Sequence, residues 1–200
     1  MARYGMVIDL DICIGCNACT IACKAEHATP PGIFFGKVLE REVGRYPAAR
    51  RVFLPVLCNH CANPACMEVC PTGATHKRDD GAVLIDYDLC IGCRSCMEAC
   101  PYGARAFHKR ATTYYGNGKT PFEEMKQDFT DGVVMKCNFC VDRVDQGLEP
   151  ACVQTCPTEC RVFGDLNDPH SKVSQIIAEK KARPLLAEKG LKPSVYYVGS

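Results

Sequence analysis

Apolar residues in this chain come in short bursts rather than long stripes. The bursts at Tyr4–Asp9, Arg51–Leu57 and Ala82–Asp86 read as strands, and each runs into a cysteine-rich loop. A short helix is expected after each loop. Further strands are expected at Ala74–Lys77, Arg105–His108 and Arg161–Phe163. The repeated unit is thus strand, cysteine loop, helix, strand. Outside it, Pro30-Pro31-Gly32 marks a turn before a strand at Lys37–Val43. Residues 110–132 read as an insertion, with a turn at Tyr114-Tyr115-Gly116-Asn117-Gly118 and one or two helical turns within Pro121–Phe129. The last segment predicts a helix over Ser171–Lys181 and a strand at Val195–Val198. No window approaches the roughly 18 uninterrupted apolar residues of a membrane-crossing helix.

The polar content of the loops changes this picture. Seventeen of the 200 residues are cysteine, and sixteen fall into four runs of four. Run one is Cys13, Cys16, Cys19, Cys23. Run two is Cys58, Cys61, Cys66, Cys70. Run three is Cys90, Cys93, Cys96, Cys100. Run four is Cys137, Cys140, Cys152, Cys156. Cys-x-x-Cys-x-x-Cys lets one tight loop wrap three corners of a cubane. The fourth cysteine, after three intervening residues, lies on a helix that points away from its own loop. In two-cluster ferredoxins it ligates the other cluster and Pro follows it. Pro follows Cys70, Cys100 and Cys156, but Lys24 follows Cys23. Runs one and three have the unmodified spacing, while two and four lengthen one gap. Four such runs in series predict four 4Fe–4S clusters, sixteen iron and sixteen acid-labile sulfide.

Other uses of cysteine fit less well. Disulfide frameworks are not built from tandem runs of this kind, and seventeen is odd. Structural zinc is usually held by two separated pairs, which runs one and three do not provide. Cys160 is left over and reads as a small buried hydrophobe. The net charge is +1, so there is no nucleic-acid footprint. The N-terminal residues lack an apolar export segment and a twin arginine, an expectation of a cytoplasmic chain unless a partner carries it across a membrane already folded. No phosphate-binding glycine loop, nucleophile–base pair or open-site metal motif is present, so electron transfer is expected rather than catalysis by this chain alone. Basic residues beside the loops (Lys24, His60, Lys77, Arg78, Arg94, Lys136, Arg143) are candidates for tuning cluster potentials, and His76 for coupling to a quinol site; His27, His108 and His170 read as surface residues.

The stretch Cys58-Asn59-His60-Cys61-Ala62-Asn63-Pro64-Ala65-Cys66, then Cys70-Pro71-Thr72-Gly73-Ala74, then Cys90-Ile91-Gly92-Cys93 through Cys100-Pro101-Tyr102-Gly103-Ala104, resembles the four-cluster iron–sulfur subunits of molybdopterin oxidoreductases. Dimethyl sulfoxide, polysulfide, thiosulfate and arsenate reductases have such subunits. The segment Gly164-Asp165-Leu166-Asn167-Asp168-Pro169 looks most like the polysulfide and arsenate branch.

The resemblance implies an α+β fold of two ferredoxin-like (bacterial two-4Fe–4S) modules with extra loops and a C-terminal extension. Residues 1–50 and 110–167 would form an outer module, 51–109 an inner one, and 168–200 a docking extension. It also implies the ligand sets. Cys13, Cys16, Cys19 and Cys156 would hold one cluster, and Cys137, Cys140, Cys152 and Cys23 its neighbour. Cys58, Cys61, Cys66 and Cys100 would hold a third, and Cys90, Cys93, Cys96 and Cys70 the fourth. The implied partners are a molybdopterin catalytic subunit and an integral-membrane quinol-binding subunit. The implied place is peripheral to the bacterial cytoplasmic membrane, periplasmic if exported with the catalytic partner and otherwise cytoplasmic. A stand-alone polyferredoxin, or a carrier for a hydrogenase or formate dehydrogenase, is the alternative. The apolar residues Tyr114, Tyr115, Phe122, Val195, Tyr196 and Tyr197 are expected to meet partner surfaces.

Overall fold

A computed structural model of the chain describes residues 1–110, 114, 124 and 130–199. Strand β1 (Tyr4–Asp9) is the central strand of a three-stranded sheet. On one side it pairs antiparallel with β8 (Arg161–Asp165), with Met6 opposite Phe163. On the other it pairs parallel with β9 (Val195–Val198), with Met6 opposite Val195. Alternation puts Met6 and Ile8 on one face, in the main apolar core with Phe35, Leu57, Val133, Met135, Phe139, Val195 and Tyr197. Val7 faces the other way, into a smaller cluster with Val173 and Val198. That cluster is roofed by helix α6 (Lys172–Glu179), whose start is capped by the Ser171 hydroxyl accepting from the Ser174 N–H at 3.2 Å.

The tail therefore departs from the expected exposed docking extension. Val195 and Tyr197 are buried against their own chain, and the Tyr197 hydroxyl donates to Pro55 O at 3.0 Å. Their apolar surface is covered by β1 and the core, so it does not need a partner. Tyr115 and Phe122 lie outside the described residues, as does nearly all of the expected turn and helix in the insertion.

Three hairpins attach the cysteine loops to this base. They are β2 (Gly36–Val43) with β3 (Arg50–Leu57), β4 (Thr75–Lys77) with β5 (Val83–Ile85), and β6 (Arg105–His108) with β7 (Val133–Lys136). The boundaries expected near residues 50 and 110 fall within the first and third of these, whose strands lie on both sides.

Proline placement sets the helix lengths. Helices α2 (Ala65–Glu68), α3 (Ser95–Glu98) and α5 (Ala151–Gln154) each stop within two residues of a Cys-Pro pair. Proline removes a helical N–H and restricts the residue before it, so those helices cannot continue. Lys24 stands at the equivalent place in run one, and α1 (Ala18–His27) runs on through Cys23. The remaining short helix, α4 (Val141–Val144), follows Cys140 directly. Among the described residues no helix is long and apolar enough to cross a membrane.

Candidate metal centres

Each cysteine loop is curled by residues in the left-handed region. In run one they are Gly15 and Asn17, in run three Gly92 and Arg94, in run two His60, and in run four Phe139 and Cys140. Such turns aim successive backbone N–H groups at one point, a concavity suited to an anionic group, iron–sulfur clusters included. The Phe139 N–H lies 3.4 Å from Cys137 Sγ, and the Thr75 N–H 3.4 Å from Cys70 Sγ.

The thiols gather across runs. A cavity is lined by Cys90, Cys93, Cys96 and Cys70, with Thr75 and Arg105. Burial pushes the Cys61 thiol up to about 12, and the charges of Cys58, Cys66 and Cys100 add to it. Cys23 is raised by burial and then by Cys152 and Cys140, and Cys137 by burial, Cys23, Cys58, Cys140 and Cys152. Cys160 Sγ lies 3.5 Å from Cys156 Sγ and also feels Cys13, which sets the first loop beside Cys156. The ligand sets implied by the resemblance, with which these proximities are consistent, are numbered as site I (Cys13, Cys16, Cys19, Cys156), site II (Cys137, Cys140, Cys152, Cys23), site III (Cys58, Cys61, Cys66, Cys100) and site IV (Cys90, Cys93, Cys96, Cys70).

Electrostatic cross-talk links them. Cys152 of site II feels Cys19 of site I. Cys137 of site II feels Cys58 of site III. Arg105 feels Cys66 and Cys58 of site III and Cys96 of site IV. Tyr87 feels Cys90 of site IV and Cys137 of site II. Sites I and IV each contain one exposed thiol, Cys16 and Cys93 respectively. No other cysteine is exposed.

The donor sets fit 4Fe–4S clusters. Buried thiols whose charge is resisted by burial and by one another need a strong positive centre to be held as thiolates, which bound iron supplies. Among the described residues no three His, Cys, Asp or Glu side chains converge closely enough for a single metal ion, the arrangement zinc would require. Cys70 and Cys156 behave alike at equivalent places. Burial acts to raise each, but hydrogen bonds outweigh it and hold the thiol below its ordinary value: from Thr75 and Thr72 at Cys70, and from Cys160 and Thr158 at Cys156.

Most of the basic residues singled out by sequence turn out to brace loops. Lys24 Nζ donates to Thr29, Pro30 and Ile33 carbonyls, Lys77 to Ala62 O, and Arg143 to Glu149 O. Arg94 stacks on Phe107 at 3.8 Å. His76 is exposed, its Nδ1 near Ala74 O. His60 and Lys136 are buried among the loops; the His60 ring stacks on Phe139 with centroids 3.6 Å apart. Three residues near the thiols were not legible as such. His27 Nε2 lies 3.2 Å from Cys140 Sγ. Arg105 and Arg161 are buried beside cysteines of neighbouring sites. The available signal was position: both arginines lie five residues after the last cysteine of a run.

Comparison with known proteins agrees with this geometry. One 4Fe–4S dicluster domain model matches residues 49–116 and 105–166, and a second matches residues 12–74. The chain is 42% identical to the arsenate respiratory reductase iron–sulfur subunit of Shewanella sp. (strain ANA-3), covering 99% of this chain and 97% of that protein. It is 42% identical to a selenate reductase subunit of Mesobacillus selenatarsenatis, covering 98% and 72%. It is 37% identical to a polysulfide reductase chain of Wolinella succinogenes, covering 98% and 94%. With 4Fe–4S dicluster domains along most of its length and such relatives over nearly all of it, the chain thus belongs to the family of iron–sulfur, electron-transfer subunits of the dimethyl sulfoxide, polysulfide and arsenate reductases.

Proposed function

We propose that this chain relays single electrons along a line of four 4Fe–4S clusters, one at each of sites I to IV, between a membrane quinol or quinone subunit and a molybdopterin catalytic subunit. The clusters supply one-electron redox centres, and the sixteen cysteines of the four sites are their ligands. On this reading the chain is two ferredoxin-like modules, sites I and II in the outer one and sites III and IV in the inner one. The chain is peripheral to the membrane and reaches it through a partner. The substrate class follows the relatives: sulfur compounds, S-oxides or arsenic oxyanions.

One observation carries the reading. Electrostatic contacts link site I to II, II to III, and III to IV through Arg105, and only sites I and IV expose a thiol, which supports a relay entered and left at those two. Residues around those two thiols match. Ile12 and Ile14 are exposed beside Cys16, and Leu89 and Ile91 beside Cys93. An exposed apolar rim around a redox centre suits docking of another subunit.

The test is iron content and assembly of the chain purified with its native partners. About sixteen iron and sixteen sulfide per chain, with co-purification of a large molybdopterin protein, are expected. Iron near half that value, or zinc in its place, would sink the four-cluster reading. A fully loaded chain that runs as a free monomer would instead support a stand-alone polyferredoxin.

A further inference from the structure

Three cationic side chains are buried with no carboxylate in ion-pair reach among the described residues: Lys136 at 2% exposure, Arg161 at 3% and Arg105 at 7%. The ion pairs formed by the described residues involve other cations. Burying an unpaired charge is strongly unfavourable. The problem is sharper for two of them. Arg105 and Lys136 stand directly opposite each other across the β6–β7 ladder, and facing like charges repel. Each guanidinium also keeps a buried nitrogen without a hydrogen-bond partner, Arg105 Nη2 and Arg161 Nε. Something anionic must balance these groups, and among the described residues the anions near them are the thiolate sites.

Their placement follows a rule. Arg161 Nη1 lies 3.8 Å from Cys152 Sγ of site II, and the same side chain feels Cys19 of site I. Lys136 precedes Cys137 of site II, donates to its carbonyl at 2.7 Å and to Val83 O, and acts on Cys66 of site III. Arg105 lies against Cys66 and Cys58 of site III and lines the cavity of Cys70, Cys90, Cys93 and Cys96 at site IV. There is one buried cation at each of the three junctions along the line.

We propose that Arg161, Lys136 and Arg105 are bridging cations, each shared by the two clusters that flank its junction. An electron adds one negative charge to whichever site holds it. A fixed positive charge between two sites favours the reduced form of both. Each cation thus raises the potentials of the two sites it separates, and sites II and III, each flanked by two cations, are raised more than sites I and IV. One electron leaves one site and enters the next, and the cation neither gains nor loses a proton. The inference rests on the four-cluster reading, and iron analysis of the unaltered chain tests that reading separately.

The experiment is a potentiometric titration of the purified complex followed by electron paramagnetic resonance. The four reduced-cluster signals are assigned beforehand from Cys→Ser variants, one per site. Arg161→Met is expected to lower the potentials of sites I and II, Lys136→Met those of II and III, and Arg105→Met those of III and IV, with the other two signals unmoved each time. Arg105→Lys, which keeps the charge, is expected to leave all four in place. Thr75→Asp neutralises Arg105 without removing it, because Thr75 Oγ1 is 3.1 Å from its Nη1; it should reproduce the shift at sites III and IV. A shift confined to one signal, spread over all four, or absent overturns the proposal. So does loss of iron in both Arg105→Met and Thr75→Asp when Arg105→Lys loads fully, since the cation would then serve assembly.

Discussion

Two glycines show how much of each site depends on a single missing carbon. Gly15 and Gly92 occupy the same place in runs one and three, at φ 67° and 66°. A side chain in that conformation costs about 1–2 kcal/mol before any contact is considered. A Cβ on Gly15 would overlap the Phe53 ring, which belongs to a flexible side chain. A Cβ on Gly92 would overlap the backbone carbonyl of Gly132, which cannot swing aside as a side chain can. Gly92→Ala is therefore expected to lose iron and thermal stability more severely than Gly15→Ala. Equal behaviour of the two variants in iron content and melting temperature would contradict this. The cysteine runs and their glycines are readable from sequence because thiol geometry fixes spacing. Arg105 and Arg161 are not, because an arginine opening a strand ordinarily points to water. Only the folded neighbourhood shows that these two do not.

At the level of elements, periodicity located β1, β6 and β9 to the residue, and β3 and β5 to within one. It did not assign β7 (Val133–Lys136), which lies between the insertion and run four and whose four buried positions show no alternation. It also could not say where β9 goes. Val195–Val198 reads as a strand whose apolar residues are expected to meet a partner, and pairing with β1 places it in the chain's own sheet instead. Deleting residues 186–199 therefore strips the sheet rather than trimming a surface. With Val195, Tyr197 and Val198 each contributing on the order of 1.5–3 kcal/mol by burial, the truncated chain should melt far lower. A truncated chain with an unchanged melting temperature would show that β9 is dispensable.

Across the whole molecule, one exposed ion pair joins segments distant in sequence. Arg78 follows β4, and its two terminal nitrogens donate to both oxygens of Asp145, just after α4, at 2.9 and 2.7 Å. Asp80 approaches the same guanidinium at 3.0 Å. The Arg78 hydrogen bonds hold the Asp145 carboxyl below its ordinary value of 3.8. The folded state thus favours the ionised form. Its contribution is fully present above the ordinary carboxylate value and fades as pH falls through the lower folded one. Asp145→Asn should lower stability by a small amount at neutral pH, less in high salt because the pair faces water. The gap between variant and parent should narrow only below pH 3.8. A gap that narrows already near neutral pH would assign the effect to another group.

The central strand of the main sheet leaves the ribosome long before either of its neighbours, β8 and β9. Until those two emerge, Met6, Val7 and Ile8 have no sheet to enter. The cysteine loops of runs two and three, by contrast, are complete once residue 100 is made. Contacts between distant segments form late because long loops must close first. Synthesis therefore imposes an order on folding: the loops of runs two and three are made while the main sheet is still open. A chain interrupted before residue 161 would hold runs two and three complete but no strand beside β1.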